Sequence, residues 1–566
     1  MSQIQTVVDL AFLSGLFPDL RPDVHRRCDG ASCYSLDAPA LPFGRELSHV
    51  ELVLPRGFPD HASAEIRLAP DAVLRVPHVE SSGKLCITGD PGPGCGLTAT
   101  ERVHTLLLAY HEQFLDRWAA GDLDGDFAQE SQNYWVVNVA RQSMRDAPVS
   151  VVWTIGSRPA RPAVSEGMLV LPARIVVAAE ETDPFARRLL TAIGARASQR
   201  IRVLIAEIPV SHPLLPGTWP KTSADLDRIL GARLKQSQRA RFLSPIRRRG
   251  SGRVHRIVIF RGPDGGFAYL LPGGPPAVLH SAGRTRTRPP VFRPLPLQVD
   301  RMDVGWTAGR DQIGQVAGRQ KKHVLVLGAG ALGSSVIDHL AKAGVGKITI
   351  VDPDDLEPAN VGRHLLGAED INVPKASAVA SRVGRAHPSC DITPARTSAQ
   401  RWLTANTLAD VDVVLDLTGE HGVRWHVDQA RRLHPCPLLI GWMEPYVAAA
   451  HACILPETAY WIANPQQPVD RLENLQSVDW PESVIRQVPG CSSRFQAYTA
   501  AHAAYAVALV AENAIRLVDA PHLDGRLMSW VRGQKFLDEC WPGLALRDWA
   551  AAVASDSLGV LIERTF

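Results

Sequence analysis

Three glycines, Gly328, Gly330 and Gly333, stand at GxGxxG spacing between an apolar run, HVLVLGAG, and a helix-like stretch, ALGSSVIDHLAKAG. Glycines at a strand-to-helix junction allow a tight turn and close approach of backbone to phosphate. The free N–H groups of the helix start then attract an anion. Asp352 closes the next strand, 19 residues beyond Gly333, where an acid can bind ribose hydroxyls. These features alone fit an NAD-dependent oxidoreductase. The residues that follow do not. Asp354, Asn360 and Arg363 lie in DPDDLEPANVGRHLL, Lys375 opens a helix in NVPKASAVASRV, and Asp416 ends the strand VDVVLDL. Hydride transfer has no need of this Asn/Arg/Lys/Asp group, whereas a nucleoside triphosphate with a divalent metal does. Arg and Lys neutralise charge as pyrophosphate leaves, and an Asp holds Mg²⁺ beside the phosphates.

The order and spacing of G328-A-G-A-L-G333, D352-P-D354, N360-V-G-R363, K375 and D416 resemble those of the ThiF/MoeB/ubiquitin-activating adenylyltransferases, over roughly residues 300–535. The resemblance implies that the glycine loop and Asp352 bind ATP, that Asp354, Asn360, Arg363 and Lys375 complete the nucleotide site, and that Asp416 coordinates Mg²⁺. It implies adenylation of a protein's C-terminal carboxylate by a homodimer, with an upstream arginine completing the site. Arg310, in VGWTAGRDQ, is the first candidate for that arginine and Arg301 the second.

Nine cysteines are present, Cys28, Cys33, Cys86, Cys95, Cys390, Cys436, Cys453, Cys491 and Cys540. No two form a CxxC pair, which argues against a ribbon-type zinc site and departs from the sulfur-carrier branch of the family. Their odd number and irregular spacing argue against a disulfide framework. Cys436 and Cys453 read as core, Cys390 as a loop or strand-edge residue, Cys540 as structural, and Cys95 as an exposed loop residue. Cys491, in RQVPGCSSRFQ, follows a Pro-Gly turn and precedes a long Ala-rich helix. A thiol at a helix N-terminus gains thiolate character, so Cys491 is the candidate to capture an acyl-adenylate as a thioester. A second thiol, Cys86, lies in RVPHVESSGKLCITGD with Pro77 nine and Gly83 three residues before it. This stretch, with ELVLPRGFPDHASAEIRL before it, resembles the His-Pro-Asn…Gly…Cys signature of ubiquitin-conjugating enzymes over about residues 10–140. Here Val76 replaces the usual His, and His78 stands where the family has Asn. A histidine can donate the same hydrogen bond to an oxyanion.

Thioester-to-thioester transfer is nearly thermoneutral, so one chain can pass an acyl group from Cys491 to Cys86, and fusion raises the effective concentration of the second thiol. The order, conjugating-like then linker then activating-like, resembles the fused enzyme of bacterial CBASS anti-phage operons. That resemblance implies a cGAS/DncV-like nucleotidyltransferase as the protein activated through its C-terminal tail, with a target lysine or other nucleophile as acceptor. A bacterial ubiquitin-like protein is the alternative substrate.

The fold class that must carry these residues is multidomain α/β. Its parts are an α+β ubiquitin-conjugating-like domain at 1–145, a small α/β or β-rich linker domain at 146–300, and a doubly wound Rossmann-like adenylation domain at 301–566. In the first, TATERVHTLLLAYHEQFLDRWAAG repeats apolar residues at helical spacing, with Thr98 or Thr100 as cap and Gly121 after its end. In the second, runs such as MLVLPARIVVA and VHRIVIF alternate with Pro/Gly/Arg-rich turns, and the run Arg247–Arg256 reads as a solvated loop. In the third, near-continuous apolar strands point to a parallel sheet buried on both faces. The 566 residues allow three or four domains. A formal net charge of +3 argues against nucleic-acid binding driven by bulk electrostatics. The N-terminal segment MSQIQTVVDLAFLSGLF reads as an amphipathic helix rather than a signal peptide. No apolar run approaches a bilayer span, so a cytoplasmic location is expected.

Overall fold

The computed structural model describes residues 8–27, 29–38, 41, 45–142, 147–243, 255–263, 265–271, 277–281, 284–288, 293–464, 466, 469–484, 486–487, 494–495 and 498–566. The chain divides into two compact units. One comprises 1–180 with 199–301, the other 181–198 with 302–566.

The first unit begins with the helix Leu10–Leu16 and an antiparallel four-stranded meander, β1 (Leu20–Arg26), β2 (Ser32–Leu36), β3 (Val50–Leu54) and β4 (Glu65–Leu68). Alternation decides which face is buried. Tyr34, Leu36, Leu52, Leu54, Ile66 and Leu68 share one core with Val103, Leu106, Leu107, Tyr110 and Phe114 of the following helix. Cys33, Glu51, Val53 and Arg67 alternate to the other face. Thr98 caps that helix through a reciprocal capping box with Glu101. Gly121 ends it in the left-handed conformation (φ 89°), which a side chain would disfavour. Between these ends the helix is not uniform. A π-helical segment, Tyr110–Leu115, interrupts it, and the wider turn keeps Tyr110, Phe114 and Leu115 all buried.

A closed seven-stranded barrel follows in the same unit. Its strands are β5 (Val151–Thr154), β6 (Ala163–Val170), β7 (Ile175–Val177), β8 (Arg200–Pro209), β9 (Arg256–Arg261), β10 (Gly266–Leu271) and, beyond the hairpin β11 (Ala277–Ser281) and β12 (Arg284–Arg288), β13 (Leu295–Arg301). Val152, Leu169, Val203, Ile205, Ile257 and Leu270 fill one of its cores. The middle region is therefore β-rich. Most of the Arg247–Arg256 run lies outside the described residues.

The second unit is built on an eight-stranded sheet. Its strands are β14 (His323–Leu327), β15 (Lys347–Val351), β16 (Asp391–Ala395), β17 (Val413–Asp416), β18 (Leu438–Met443) and β19 (Ala449–Leu455). After the short pair β20 (Arg486–Gln487) and β21 (Arg494–Phe495), β22 (Arg526–Val531) and β23 (Val560–Thr565) complete it. The order is β16-β15-β14-β17-β18-β19-β22-β23. The first five strands are parallel and the last three antiparallel, so the sheet is mixed rather than wholly doubly wound. Apolar side chains on both faces of β14 and β17 are buried by two helical layers. Helices Ala331–Lys342, Lys375–Ala386 and Ala500–Asp519 cover one face, and Ala399–Ala405 with His421–Leu433 the other. The short helix Pro184–Ala192 also belongs to this unit, with Arg188 Nε donating to the carbonyl of Pro388 at 2.7 Å. Among the described residues, no helix is long and apolar enough to cross a membrane.

Candidate active site

Register places the nucleotide residues together. Leu327 on β14 lies opposite Val351 on one neighbour and Asp416 on the other. The glycine loop, Asp352 and Asp416 therefore all emerge at the carboxyl ends of three adjacent parallel strands, where α/β sheets bind ligands. Gly328 adopts φ +91°, and Gly333 packs so closely that a Cβ there would stand 2.0 Å from the Gly328 carbonyl oxygen. A Cβ at Gly330 would meet no described residue within 4 Å. Gly330 is also the N-cap of the helix Ala331–Lys342, which has no side-chain cap, leaving its first N–H groups for an anion.

Asp352 anchors the loop. Its Oδ2 accepts from the Ala329 N–H at 2.7 Å and its Oδ1 from the Asp354 N–H at 2.9 Å. Burial raises its pKa, and these two N–H groups oppose the shift. Lys375, first residue of its helix, places Nζ 2.9 Å from Asp354 Oδ2. Asn360 Oδ1 accepts from the Glu357 N–H, and the Arg363 guanidinium lies over the Tyr498 ring at 5.2 Å. The adjoining His364, which the sequence reading passed over, donates from Nε2 to the Ala329 carbonyl at 2.7 Å while its Nδ1 accepts from Leu366 N–H at 3.1 Å. It thus ties the Asn360–Arg363 segment to the glycine loop. Thr418 was likewise missed; its N–H and Oγ1 both donate to Asp416 Oδ1, at 3.1 and 2.6 Å. The other oxygen, Asp416 Oδ2, is buried with no hydrogen-bond partner among the described residues. Full burial pushes this carboxyl's pKa up. An unpartnered hard oxygen beside an anion site is what a Mg²⁺ ligand requires, so the residues fit the metal.

Arg310 is exposed at the left-handed C-cap of the helix Val304–Gly309, with φ 49°. Arg301 ends β13 in the first unit. Cys491 lies outside the described residues. Cys390, Cys436 and Cys453 are fully enclosed, and burial raises all three thiols, Cys390 to about 12 and Cys436 to about 11. These three are inert as nucleophiles.

In the first unit the segment carrying Cys86 is strapped to the edge of β4. Leu85 N–H donates to the Ile66 carbonyl and Leu68 N–H to the Gly83 carbonyl, both at 2.8 Å. Gly83 needs its φ of +85°, and a Cβ there would come 2.6 Å from the Leu68 oxygen. Cys86 is left exposed, with its N–H donating to the His78 carbonyl at 2.7 Å. His78 itself takes φ 60°, held by its N–H donating to the Tyr134 hydroxyl at 2.8 Å. Its Nε2 lies 2.8 Å from Asp126 Oδ2, and its Nδ1 3.5 Å from Glu130 Oε1. Tyr134 in turn donates to Glu130 Oε2 at 2.9 Å. Asp126, Glu130 and Tyr134 were not recognised from sequence. Asp126 opens the short helix Asp126–Gln129, Glu130 lies at its end and Tyr134 in the next helix, Ser131–Gln142; their spacing of four residues is the signal that was available.

A glycine loop at a helix start, an acid at the end of the next strand, neighbouring basic residues and a buried carboxylate thus converge at one end of the α/β sheet, in the arrangement of a candidate nucleotide site. Residues 312–528 match the ThiF family model, and the second unit carries a ThiF domain. Similar curated proteins include the adenylyltransferase and sulfurtransferase UBA4 of Yarrowia lipolytica, 36% identical over 120 residues, covering 21% of this chain and 30% of that protein. The ATP-dependent ubiquitin transferase-like protein Cap2 of Pseudomonas aeruginosa is 29% identical over 249 residues, covering 41% of this chain and 43% of that one. The sulfur carrier protein ThiS adenylyltransferase of Escherichia coli is 26% identical over 213 residues, covering 32% of this chain and 83% of that one. The chain thus spans less than half the length of the first two.

Proposed function

We propose that this chain is an ATP-dependent protein-conjugating enzyme that activates the C-terminal tail of a cGAS/DncV-like nucleotidyltransferase and ligates it to a target in anti-phage defence. The tail carboxylate attacks the α-phosphorus of ATP, forming acyl-AMP and releasing pyrophosphate. The Cys491 thiolate then displaces AMP to give a thioester. Exchange with Cys86 moves the acyl group to the N-terminal domain, regenerating the Cys491 thiol. A lysine amine of the target finally displaces Cys86, leaving an amide. Asp352 and the glycine loop bind the nucleotide, and Lys375 and Arg363 balance phosphate charge. Asp416 would hold Mg²⁺, which supplies further charge neutralisation at the phosphates. We further infer that the domains run 1–145, 146–300 and 301–566, that the enzyme is a homodimer through its adenylation domain with Arg310 completing the site, and that it works in the cytoplasm.

One observation carries the reading. A chain with a ThiF domain also presents an exposed thiol, Cys86, whose N–H is bonded to a histidine set between two carboxylates. The backbone contact between Cys86 and His78 ties the thiol-bearing segment to that histidine, and we assign the His78 imidazole the part of a donor to the oxyanion that forms when an amine attacks. The name of the Pseudomonas relative, ubiquitin transferase-like, favours the conjugation chemistry, and the resemblance of the fused order to the CBASS enzyme is what favours the nucleotidyltransferase substrate.

The test combines ATP–pyrophosphate exchange, stimulated by the partner's tail, with non-reducing gels. Wild type forms thiol-sensitive adducts at both cysteines, Cys86→Ala accumulates the Cys491 adduct, and Cys491→Ala forms none. Loading of Cys86 in Cys491→Ala refutes the transfer order. The Escherichia coli relative's name points to small carrier proteins. If a bacterial ubiquitin-like protein drives the exchange and the nucleotidyltransferase tail does not, the substrate is of that class.

A further inference from the structure

The outer face of the N-terminal meander holds a second cluster of chemistry-bearing side chains. His25 on β1 is the direct register partner of Cys33 on β2. Glu51 on β3 opposes Ser35, so it lies diagonally across from Cys33 on the same face. One ligand atom from each of His25, Cys33 and Glu51 lies within 4.8 Å of the others. A fourth donor is adjacent: Glu51 Oε1 receives both His25 Nε2 at 2.8 Å and His49 Nε2 at 3.0 Å. None of these residues belongs to the main core, which fills the opposite face of the sheet. Cys33 instead sits in a small buried floor with Ala31 and Val53. Arg67, the register partner of Glu51 on β4, is drawn aside to Glu65 at 2.7 Å. Glu51 is thus left to the two histidines.

We propose that His25, Cys33 and Glu51, with His49 as fourth donor, form a zinc site that fastens β1 to the sheet. The donor set argues for zinc. One thiolate, two imidazoles and one carboxylate match its borderline preference, while calcium and magnesium take oxygen alone. Zinc–ligand bonds of about 2.0–2.3 Å place tetrahedral donors roughly 3.3–3.8 Å apart. The present ligand atoms of His25, Cys33 and Glu51 lie within 4.8 Å of one another, so closing to that size takes side-chain shifts of about 1–1.5 Å at most. The strand itself shows why a clasp is useful. Of β1 only Leu20 is buried; the other six residues are exposed, and the pairing with β2 is irregular between Leu20 and Val24. Beyond its ladder with β2, this edge strand is fastened through polar side chains, Arg21 to Asp37 and His25 to Glu51, and a metal bridging β1, β2 and β3 would add a firmer attachment.

The test uses the full chain, purified without an affinity metal, dialysed against zinc and then against buffer, with zinc content measured by mass spectrometry. Wild type retains one zinc per chain. His25→Gln, an exposed change that leaves the core untouched, and Cys33→Ser each lose it. His49→Gln weakens retention. Cobalt exchanged into the wild type gives a thiolate-to-cobalt charge-transfer band that Cys33→Ser abolishes, and backbone hydrogen exchange in β1 slows when zinc is added. Wild type without retained zinc overturns the proposal. So does zinc retained equally by His25→Gln and Cys33→Ser, or a cobalt complex lacking the thiolate band.

Discussion

Four residues beyond Cys86, Asp90 is locked to Arg102, and this pair permits a quantitative test of how the thiol-bearing segment is held. Arg102 Nε and Nη2 donate to the two carboxylate oxygens at 2.7 and 2.8 Å, Nη1 to the Pro59 carbonyl at 2.5 Å, and Nη2 also to the Ala62 carbonyl at 3.0 Å. The two side chains are 2–3% exposed. Replacing Arg102 by Met keeps much of the volume but strands a buried carboxylate with only the N–H groups of Ala64 and Gly92. It also orphans two carbonyls. Removing one partner of a buried pair costs about 3–5 kcal/mol, so local opening should rise by roughly two to four orders of magnitude. Hydrogen exchange followed on peptides covering 59–92 measures that opening directly. The double variant Arg102→Met/Asp90→Ala removes the stranded charge, so it should cost much less than the sum of its parts. Burial opposes ionisation of Asp90, but Arg102 and the two N–H groups outweigh it and hold the carboxyl below its usual value. The pair's contribution is therefore present above the ordinary carboxylate range and lost as pH falls through the lowered value. Exchange changed by less than about tenfold in Arg102→Met, or strict additivity in the double variant, would refute the reasoning.

The other outcomes concern the two reaction centres and the sheet beneath one of them. Asp416→Asn keeps the Thr418 contacts but loses the open carboxylate. It should lower ATP–pyrophosphate exchange by about a hundredfold or more with an unchanged circular dichroism spectrum, and exchange within tenfold of wild type would exclude Asp416 as a metal ligand. Gly333→Ala drives a methyl into the Gly328 carbonyl and should abolish ATP binding in calorimetry; undiminished affinity would show that the loop is not the site. Asp126→Asn frees the His78 ring and should slow discharge of a Cys86 thioester to lysine by about tenfold or more, without slowing its loading. Equal slowing of both steps would count against that role. Asp338, on the glycine-loop helix, is lowered to about 2, chiefly by His387 and Lys342 against burial. It should contribute about 2 kcal/mol above pH 4, lost on acidification towards pH 2, and Asp338→Asn should flatten that part of the pH–stability curve.

The strand–glycine–helix signal of 323–342 was legible because a parallel strand buried on both faces reads as an uninterrupted apolar run. The cap at Thr98 and the stop at Gly121 were legible because capping chemistry is local. What sequence did not convey depends on register or on distant return of the chain. The π-helical segment at Tyr110–Leu115 leaves the apolar spacing intact, so periodicity does not reveal it. His364 gains its role only because the loop after β15 folds back onto Ala329. His25 and Glu51 are 26 residues apart and become neighbours only through two hairpins, which no spacing rule for cysteine pairs detects. The antiparallel half of the sheet was hidden for a related reason: β19 and β22 are as apolar as the parallel strands, so direction left no trace in composition.

The geometry at the strand ends also bears on the oxidoreductase reading, which shares the glycine loop. A dinucleotide site uses one acid, at the end of the strand following the loop, to meet the ribose. Asp352 occupies that position, and each of its oxygens accepts one backbone N–H, so it shapes the loop whichever nucleotide binds and does not separate the two readings. On the other side of β14, Asp416 is buried with one oxygen that meets no partner among the described residues. An isolated buried carboxylate oxygen costs stability, and in a hydride-transfer site nothing would offset it. A cation held at that oxygen would offset it, and Lys375, which pairs with Asp354 at 2.9 Å, would supply further positive charge for a triphosphate. Binding of NADH without ATP would contradict this argument. ATP affinity that rises with Mg²⁺ in the wild type, but not in Asp416→Asn, is the result it requires.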